Sequence, residues 1–306
     1  MDWIVPFILT VITASTPLLL AASGELVTEK SGVLNLGVEG MMLVGAIAGF
    51  AVTATTGSAV LGIVGAMCAG VLMSLIFAFL TLTLMANQVA TGLALTIFGV
   101  GFSALVGSGF VGFAIQPLPS LSIPGLSSIP VLGPILFGQD FLVYLSFAIV
   151  VGIGYFLTKT RAGLILKAVG DSHHSANAIG YSVIKIRYLA TMFGGAMSGL
   201  AGAYLSLSYT PMWAENMTAG RGWIALALVV FATWRPGRLL AGAYMFGLIS
   251  VMQLHAQGAG IHVPSQFMSM LPYLATVIVL VIISSDRAKI RLNAPACIGK
   301  AFRATQ

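Results

Sequence analysis

The feature that most limits the fold of this chain is a stretch of one hundred residues, from Gly40 to Gln139, that contains no Asp, Glu, Lys, Arg or His. A stretch of this kind cannot be a solvated loop. It is also far longer than the about 20 apolar residues that one bilayer-crossing helix needs. It therefore predicts several membrane crossings in succession.

The composition points the same way. Hydrophobic residues make up 58% of the chain and charged residues 7%, against about 25% charged residues in soluble domains. We therefore predict an all-α polytopic membrane protein, a transmembrane helix bundle with short or broken helices. The N-terminus passes from Met1 and Asp2 directly into apolar sequence without a basic region, which argues against a cleaved secretory signal.

Apolar runs bounded by charge, proline or glycine predict about nine crossings, within a range of eight to ten. They fall at about residues 3–23, 33–55, 60–86, 90–111, 141–157, 188–208, 222–234, 239–256 and 267–284. Because nine is odd, the two termini would lie on opposite sides of the membrane.

The distribution of basic residues predicts the orientation, since Lys and Arg collect in cytoplasmic loops. With the tail after Ser285 inside the cell, 13 of the 14 Lys and Arg residues lie on that side and only Arg221 lies outside. We expect an outside N-terminus, a single transmembrane domain over residues 1–285 with a cytoplasmic loop at 158–187, and a basic cytoplasmic tail over 286–306. The net charge of +6 is explained by these loops and indicates no nucleic acid partner.

One predicted span is too short to cross the membrane. Gly222 to Trp234 is 13 residues, about 20 Å of helix, whereas the hydrocarbon core is about 30 Å thick. The run predicts a half-helix continued by irregular backbone that is buried in protein or lines a cavity. The alternative is a tilted helix that begins near Met212, with Glu215 and Arg221 reaching toward the headgroups.

Small residues recur at intervals of four in the run 188–208, a pattern that lets two helices approach closely. The two ladders are Gly194, Ser198 and Gly202, and Gly195, Gly199 and Ala203. They predict a helix at the centre of the bundle.

Motifs for catalysis are absent from the sequence. It has no P-loop, no metalloprotease or serine-hydrolase motif, and no paired acidic residues at helical spacing inside the apolar spans. Cys68 lies inside an apolar run and Cys297 in the C-terminal tail, so we expect neither a disulfide nor a metal site. His173 and His174 have no further ligand at metal spacing, so we expect solvated side chains.

Glu39 is the one ionisable residue that stands within an apolar run, between Gly37 and Gly40. An intramembrane carboxylate is a candidate for a functional site. Two roles are open: Glu39 lines a pathway, or its carboxylate accepts hydrogen bonds from free backbone amides of a helix broken by Gly37 and Gly40.

Charge is concentrated between Lys159 and Arg187. Within this interval Gly170 predicts the end of one short helix, and Asp171 or Ser172 can cap a second one that stops at Gly180. The interval predicts a compact pair of helices presented to water.

This interval resembles the cytoplasmic loop of permease subunits of bacterial ABC importers for ribose-like sugars, nucleosides and branched-chain amino acids. The resemblance rests on the segments Thr160-Arg161-Ala162-Gly163, Ala168-Val169-Gly170-Asp171 and Gly180-Tyr181-Ser182-Val183 followed by Arg187. The segments 31–42, 87–92 and 219–227 resemble the nucleoside branch, and the likeness extends from about Thr13 to Ile283. The segment Trp234-Arg235-Pro236-Gly237-Arg238 departs from the sugar permeases.

The resemblance implies a non-catalytic permease in the bacterial inner membrane. It implies four kinds of neighbour: a second permease subunit, different and longer; two cytoplasmic ATPases that carry ATP and magnesium; an external substrate-binding lipoprotein; and the lipid bilayer. This chain itself would hold no cofactor or metal.

The expected sites are the contact with the ATPase and the solute pathway. By resemblance, the first comprises Arg161, Gly163, Lys167, Gly170, Asp171, Ala176 and Gly180. Uncharged amides and one carboxylate suit a hydroxylated solute such as a nucleoside, so we expect the second to comprise Asn35, Glu39, Asn87 and Gln88.

Three other functions are open to a chain of this composition. A sugar permease of the same family is the nearest alternative. A stand-alone ion-coupled carrier is disfavoured because such carriers need several intramembrane carboxylates, and a membrane enzyme is disfavoured by the lack of a nucleophile or metal set.

Overall fold

The computed structural model describes residues 4–121, 127, 129, 131–258 and 293–303, together with scattered positions between 267 and 281. Within these residues the protein is all-α. The described part contains no strand, only two isolated bridges that join Ala114 to Met212 and Ser120 to Asp140.

The chain forms eleven α-helices within the described residues. They are α1 (Ile4–Lys30), α2 (Val38–Thr56), α3 (Ala59–Ala78), α4 (Gln88–Gly107), α5 (Leu132–Phe137), α6 (Phe141–Lys159), α7 (Arg161–Asp171), α8 (His173–Ala178), α9 (Val183–Tyr204), α10 (Arg221–Phe231) and α11 (Pro236–Gly258). Single π-helical turns extend α3 through Phe79–Thr83 and α9 through Leu205–Tyr209.

Polar residues in front of the helices fix where several of them begin. Each of these side chains accepts a hydrogen bond from a backbone N–H in the first turn, which would otherwise lack a partner. The capping residues are Ser58 for α3, Asn87 for α4, Asp140 for α6, Thr160 for α7 and Ser172 for α8.

Eight of the nine predicted spans coincide with helices. By length and composition, six helices can cross a membrane: α1, α2, α3 with its π turn, α4, α6 and α11. With 22 residues α9 is long enough but is less apolar, and α10 has only 11 residues. The ninth predicted span, 267–284, lies mostly outside the described residues, so nine crossings stay a prediction.

Helix α9 stands at the centre of the bundle and packs against α1, α2 and α3. The close approach depends on glycine, as predicted. A Cβ atom on Gly45 of α2 would lie 2.5 Å from the Cα of Gly199, and one on Gly70 of α3 would collide with the Gly195 carbonyl. The two small-residue ladders are therefore the surfaces on which its neighbours pack.

The short span is a broken helix. Helix α10 begins only at Arg221, and the residues before it turn, with positive φ at Asn216 (54°), Ala219 (47°) and Gly220 (82°). A tilted helix beginning near Met212 is therefore wrong, because the backbone at these positions is left-handed and cannot continue a helix. The turns bring buried Thr218 beside α2.

Helices α3 and α4 form the least enclosed side of the bundle. Large apolar residues there are exposed, among them Leu72 (63%), Ile97 (74%) and Leu105 (75%). A surface of this kind is stable only against lipid or another subunit.

Candidate functional site

The predicted pair of short helices between α6 and α9 is confirmed. Helix α7 ends at Asp171, one residue later than expected. Ser172 then caps α8 by accepting from the Ser175 amide, and Gly180 (φ 92°) ends the unit. We call residues 160–180 the loop unit.

Two glycines of the loop unit allow close packing. A Cβ atom on Gly163 would collide with the Phe156 carbonyl at the sharp turn from α6 into α7. One on Gly170 would collide with the Lys30 carbonyl at the end of α1. Both glycines are buried, so their roles within this chain are structural.

We expected Ala176 on the outer surface of the loop unit, in the contact with the ATPase. The structure places it inside the protein instead. It is 2% exposed and packs against Val169, Val183 and Phe302. The C-terminal segment folds back over this side of α8 and covers Ala176. The covering residues lie more than one hundred positions later in the chain, so no local pattern predicts this contact.

His173 is likewise buried rather than solvated, with 4% exposure. Its Nδ1 lies 3.2 Å from Nη2 of Arg187 and its ring lies against Phe302. Burial lowers the pKa of His173, and the nearby charges of Arg187, His174 and Lys300 lower that pKa further. His174 remains exposed, as expected.

Arg187 is the centre of this cluster and is 1% exposed. Its guanidinium donates from Nε to the Ser31 carbonyl (3.2 Å) and from Nη1 to the Lys300 carbonyl (3.0 Å), besides its contact with His173. These contacts join the start of α9 to the end of α1, to α8 and to the C-terminal segment. We call these contacts the Arg187 cluster.

The described part of the basic tail, residues 293–303, is packed against the loop unit. The Cys297 amide donates to the Gly170 carbonyl (2.8 Å), and the Gly299 amide donates to the Gly32 carbonyl (3.1 Å). Lys30 Nζ donates to the Asn293 carbonyl (2.6 Å). Segments around 30, 160–187 and 293–303, all predicted to be cytoplasmic, therefore lie at the same end of the molecule.

The remaining surface of the loop unit is exposed. Arg161, Asp171 and Gly180 lie on it and Lys167 is half-buried. Ile179 is its most exposed large apolar residue, at 71%, and no sequence motif singles it out. Ile179 lies beside the exposed residues His174, Ser175 and Ala178.

Glu39 is buried in the first turn of α2 and binds the start of α10. Its Oε1 accepts from Thr218 Oγ1 (2.5 Å) and from the Gly220 amide (2.8 Å), and its Oε2 accepts from the Gly222 amide (2.6 Å). The carboxylate therefore accepts from free backbone amides, as in the second role, but these amides belong to the start of α10 and not to a helix broken at Gly37 and Gly40. The pathway role stays a prediction.

Of the four expected pathway residues, Asn35, Glu39 and Gln88 are buried and Asn87 is exposed. Asn35 is fully buried, and its Oδ1 accepts from the Gly37 amide (2.9 Å). Gln88 accepts from the Leu34 amide (2.8 Å), while its Nε2 is buried without a partner. Asn87 is exposed and caps α4.

Two acidic residues that the sequence reasoning missed lie four positions apart on α1. Glu25 and Glu29 are at most 1% exposed. The Asn35 amide donates to Glu25 Oε1 (3.2 Å), and Trp234 Nε1 donates to Glu29 Oε2 (2.5 Å). The first predicted span ends near residue 23, whereas α1 continues to Lys30 and so carries both carboxylates on one helix.

With Glu39 at one end and Glu29 at the other, α10 is bound at both ends by buried carboxylates. The backbone after α10 reverses through two residues of positive φ, Thr233 (49°) and Trp234 (53°). The Trp234 contact therefore fixes the turn that leads into α11.

Residues 7–283 match the family described as "Branched-chain amino acid transport system / permease component". The chain belongs to this family. Membership identifies the chain as a multi-pass membrane permease component of an ABC transporter. Such components do not catalyse a reaction by themselves.

Relatives within the family carry sugar and nucleoside names. The "Putative glucose ABC transporter permease protein TsgC13" of Haloferax volcanii is 40% identical over 75% of this chain and 77% of its own length. The "Guanosine ABC transporter permease protein NupQ" of Bacillus subtilis is 31% identical over 68% of each chain. The "Nucleoside ABC transporter permease protein NupC" of Lactococcus lactis subsp. cremoris is 35% identical over 52% of this chain and 51% of its own length.

The fold has a counterpart among solved structures. An ABC transporter chain described as "An inward-facing conformation of a putative metal-chelate type ABC transporter" aligns with a TM-score of 0.53 over 90% of this chain and 85% of its own. At 14% identity the likeness concerns the fold alone.

Proposed function

We propose that this chain is one permease half of an ABC importer. It would pair with a second, longer permease and work with two cytoplasmic ATPases, which hold ATP and magnesium, and an external substrate-binding lipoprotein. The observation that carries the proposal is the loop unit, a capped helix pair at the end of α6 whose outer face is exposed in a chain of this family.

The Arg187 cluster supplies a route for coupling. Movement of the ATPases would displace α8, and His173 would pass this displacement to Arg187 at the start of α9. Through the Ser31 carbonyl, Arg187 also holds the end of α1. A push on the loop unit would therefore shift two central helices together, as expected for a transition between outward-open and inward-open states.

We propose a nucleoside as the solute. The segments 31–42, 87–92 and 219–227 resemble that branch, and two relatives carry guanosine or nucleoside names. Such a solute needs donors and acceptors on its way, and the exposed amide of Asn87 offers both at the start of α4. The side chains of Asn35 and Glu39 already accept hydrogen bonds within the protein. We therefore propose that they stabilise the pathway structure and do not contact the solute.

A sugar is the second candidate. The relative with the glucose name is 40% identical, more than those with nucleoside names. A sugar presents hydroxyl groups without a flat base, so the same amides would serve it.

We further propose that the protein lies in the inner membrane with its N-terminus outside and its C-terminus in the cytoplasm. The basic segments that meet at the Arg187 cluster support this orientation, because cytoplasmic ends of membrane proteins carry the excess of Lys and Arg.

Reconstituted transport tests the function. The chain is assembled in vesicles with its ATPase, second permease and lipoprotein, and uptake of guanosine and of glucose is compared with ATP or ADP in the ATPase compartment. We expect ATP-dependent uptake of guanosine. Glucose uptake alone would select the sugar candidate, and uptake that persists without ATP but stops with an ionophore would establish an ion-coupled carrier instead.

A further inference from the structure

An apolar cavity of about 450 Å³ opens beside the loop unit, between α6, α7 and α9. Its volume lies within the range of about 300–1,000 Å³ that is usual for small-molecule sites. The floor is buried, with Ile153, Leu166 and Ala190, whereas Gly152, Ala162 and Leu189 at the rim are exposed. The cavity is therefore open at the side.

Two helical stripes form most of its walls. On α6 the stripe contains Ile149, Gly152, Ile153 and Phe156, and on α9 it contains Ile186, Leu189, Ala190 and Phe193. Both follow the spacing of one helix face. Such a wall offers no partner to a polar solute, so its occupant must be a hydrocarbon chain.

The stripe on α6 continues into a basic residue. Lys159 lies three positions after Phe156 and is the last residue of this apolar helix, so the mouth lies where a span meets the headgroups. Arg161 precedes Ala162 in α7, and Lys185 lies four positions before Leu189 in α9. All three basic side chains are exposed.

We propose that this cavity binds one acyl chain of an anionic glycerophospholipid from the bilayer, with the lipid phosphate held by Lys159, Arg161 and Lys185. The apolar walls would contact the acyl chain, and the basic residues at the rim would bind the negatively charged phosphate. Basic pockets between membrane helices bind anionic lipids in this way. A bound lipid would fill the space between α6 and α9 beside the loop unit and hold these elements together.

Gly152 permits a direct test. A Cβ atom there meets nothing within 4 Å, so this lining position can carry a side chain, and we expect Gly152→Phe to occupy the cavity. Gly154 also has open space around its Cβ position but does not line the cavity. Gly154→Phe is therefore the matched control.

The full chain, purified with its partner subunits, is analysed by native mass spectrometry with added phosphatidylglycerol or phosphatidylcholine of identical acyl chains. We expect the wild-type protein to retain phosphatidylglycerol about tenfold more strongly than phosphatidylcholine. Gly152→Phe should lose this retention and Gly154→Phe should keep it. Glycerol phosphate should not compete, since it lacks the acyl chain.

The double variant Lys159→Gln/Lys185→Gln should reduce the preference for phosphatidylglycerol by about fivefold and leave the share that Arg161 supplies. Lys300→Gln/Arg303→Gln removes two exposed charges from the C-terminal segment and should leave the preference unchanged. Equal retention of both lipids by the wild-type protein, or full retention by a folded Gly152→Phe protein, would overturn the proposal.

Discussion

The Glu39 carboxylate of α2 accepts the backbone N–H of Gly222, at 2.6 Å, and so fixes the first turn of α10. The amide of Gly220 and the hydroxyl of Thr218 complete its contacts. A half-helix leaves N–H groups without partners at its start, and here a buried anion at the positive end of the helix supplies the acceptor.

The first prediction concerns this cap. Glu39→Ala removes the acceptor for three donors, and since hydrogen bonds to charged groups contribute about 1.5–3 kcal/mol each, we expect a loss of stability of about 3 kcal/mol or more. Glu39→Gln keeps the shape of the side chain and should lower stability by less than Glu39→Ala. The melting temperature in detergent measures the stability of both variants.

Glu215 lies in the same loop but is exposed, so Glu215→Ala and Glu215→Gln are the matched controls and should leave the melting temperature unchanged. If Glu39→Ala melts like the wild-type protein while transport stops, the carboxylate belongs to the solute pathway and the cap is dispensable.

The second prediction concerns pH. The folded protein lowers the pKa of His173 through burial and nearby positive charge, so the unfolded chain binds the proton more readily. Stability from this residue is complete above the ordinary histidine pKa of about 6.5. It falls as the pH drops below that value toward the lower folded pKa. We expect the melting temperature to decline between about pH 7 and pH 5.5.

His173→Gln keeps an acceptor for Arg187 and should flatten this dependence. His174 stands next in sequence but is exposed, so His174→Gln should keep the wild-type slope. An unchanged slope in His173→Gln would assign the pH dependence to other groups.

The sequence predicted well where the signal is local. The helix end near Gly170, the cap at Ser172, the break before Gly222 and the small residues of α9 all follow from neighbouring residues or from a fixed period. The predicted ends of α7 and α8 therefore lie within two residues of the observed ones.

The misses all involve contacts between distant segments. Ala176 and His173 are buried because Phe302 and its neighbours return to α8. Glu29 is buried because Trp234, 205 positions later, binds it. No local period encodes such partners, so the sequence indicated which helices form but not which polar residues they enclose.

The third prediction concerns contact with the ATPase. Because Ile179 is the large apolar residue most exposed on the loop unit, Ile179→Asp should weaken association with the ATPase by about tenfold, the effect of losing an interface residue worth about 1.4 kcal/mol. The melting temperature should not change. Copurification and binding of the ATPase measure the effect.

Ala176→Arg should act differently, because it places an unpaired charge inside the chain and should lower the melting temperature before any ATPase is added. Ala301→Asp, at an exposed position of the C-terminal segment, is the control for added charge. Normal ATPase binding by Ile179→Asp would remove α8 from the proposed contact.

The last prediction concerns orientation in the membrane. Ser127 lies in the segment between α4 and α6, and Ala178 lies on the exposed side of α8. The bundle separates these two positions, since α6 crosses from Asp140 to Thr160 between them. With Cys68 and Cys297 replaced by Ser, a cysteine at Ser127 should react with a membrane-impermeant maleimide in intact cells. A cysteine at Ala178 should react only after the membrane is permeabilised. The reverse pattern would place the loop unit outside the cell, where no ATP-driven partner could reach it, and would contradict both the orientation and the proposed coupling.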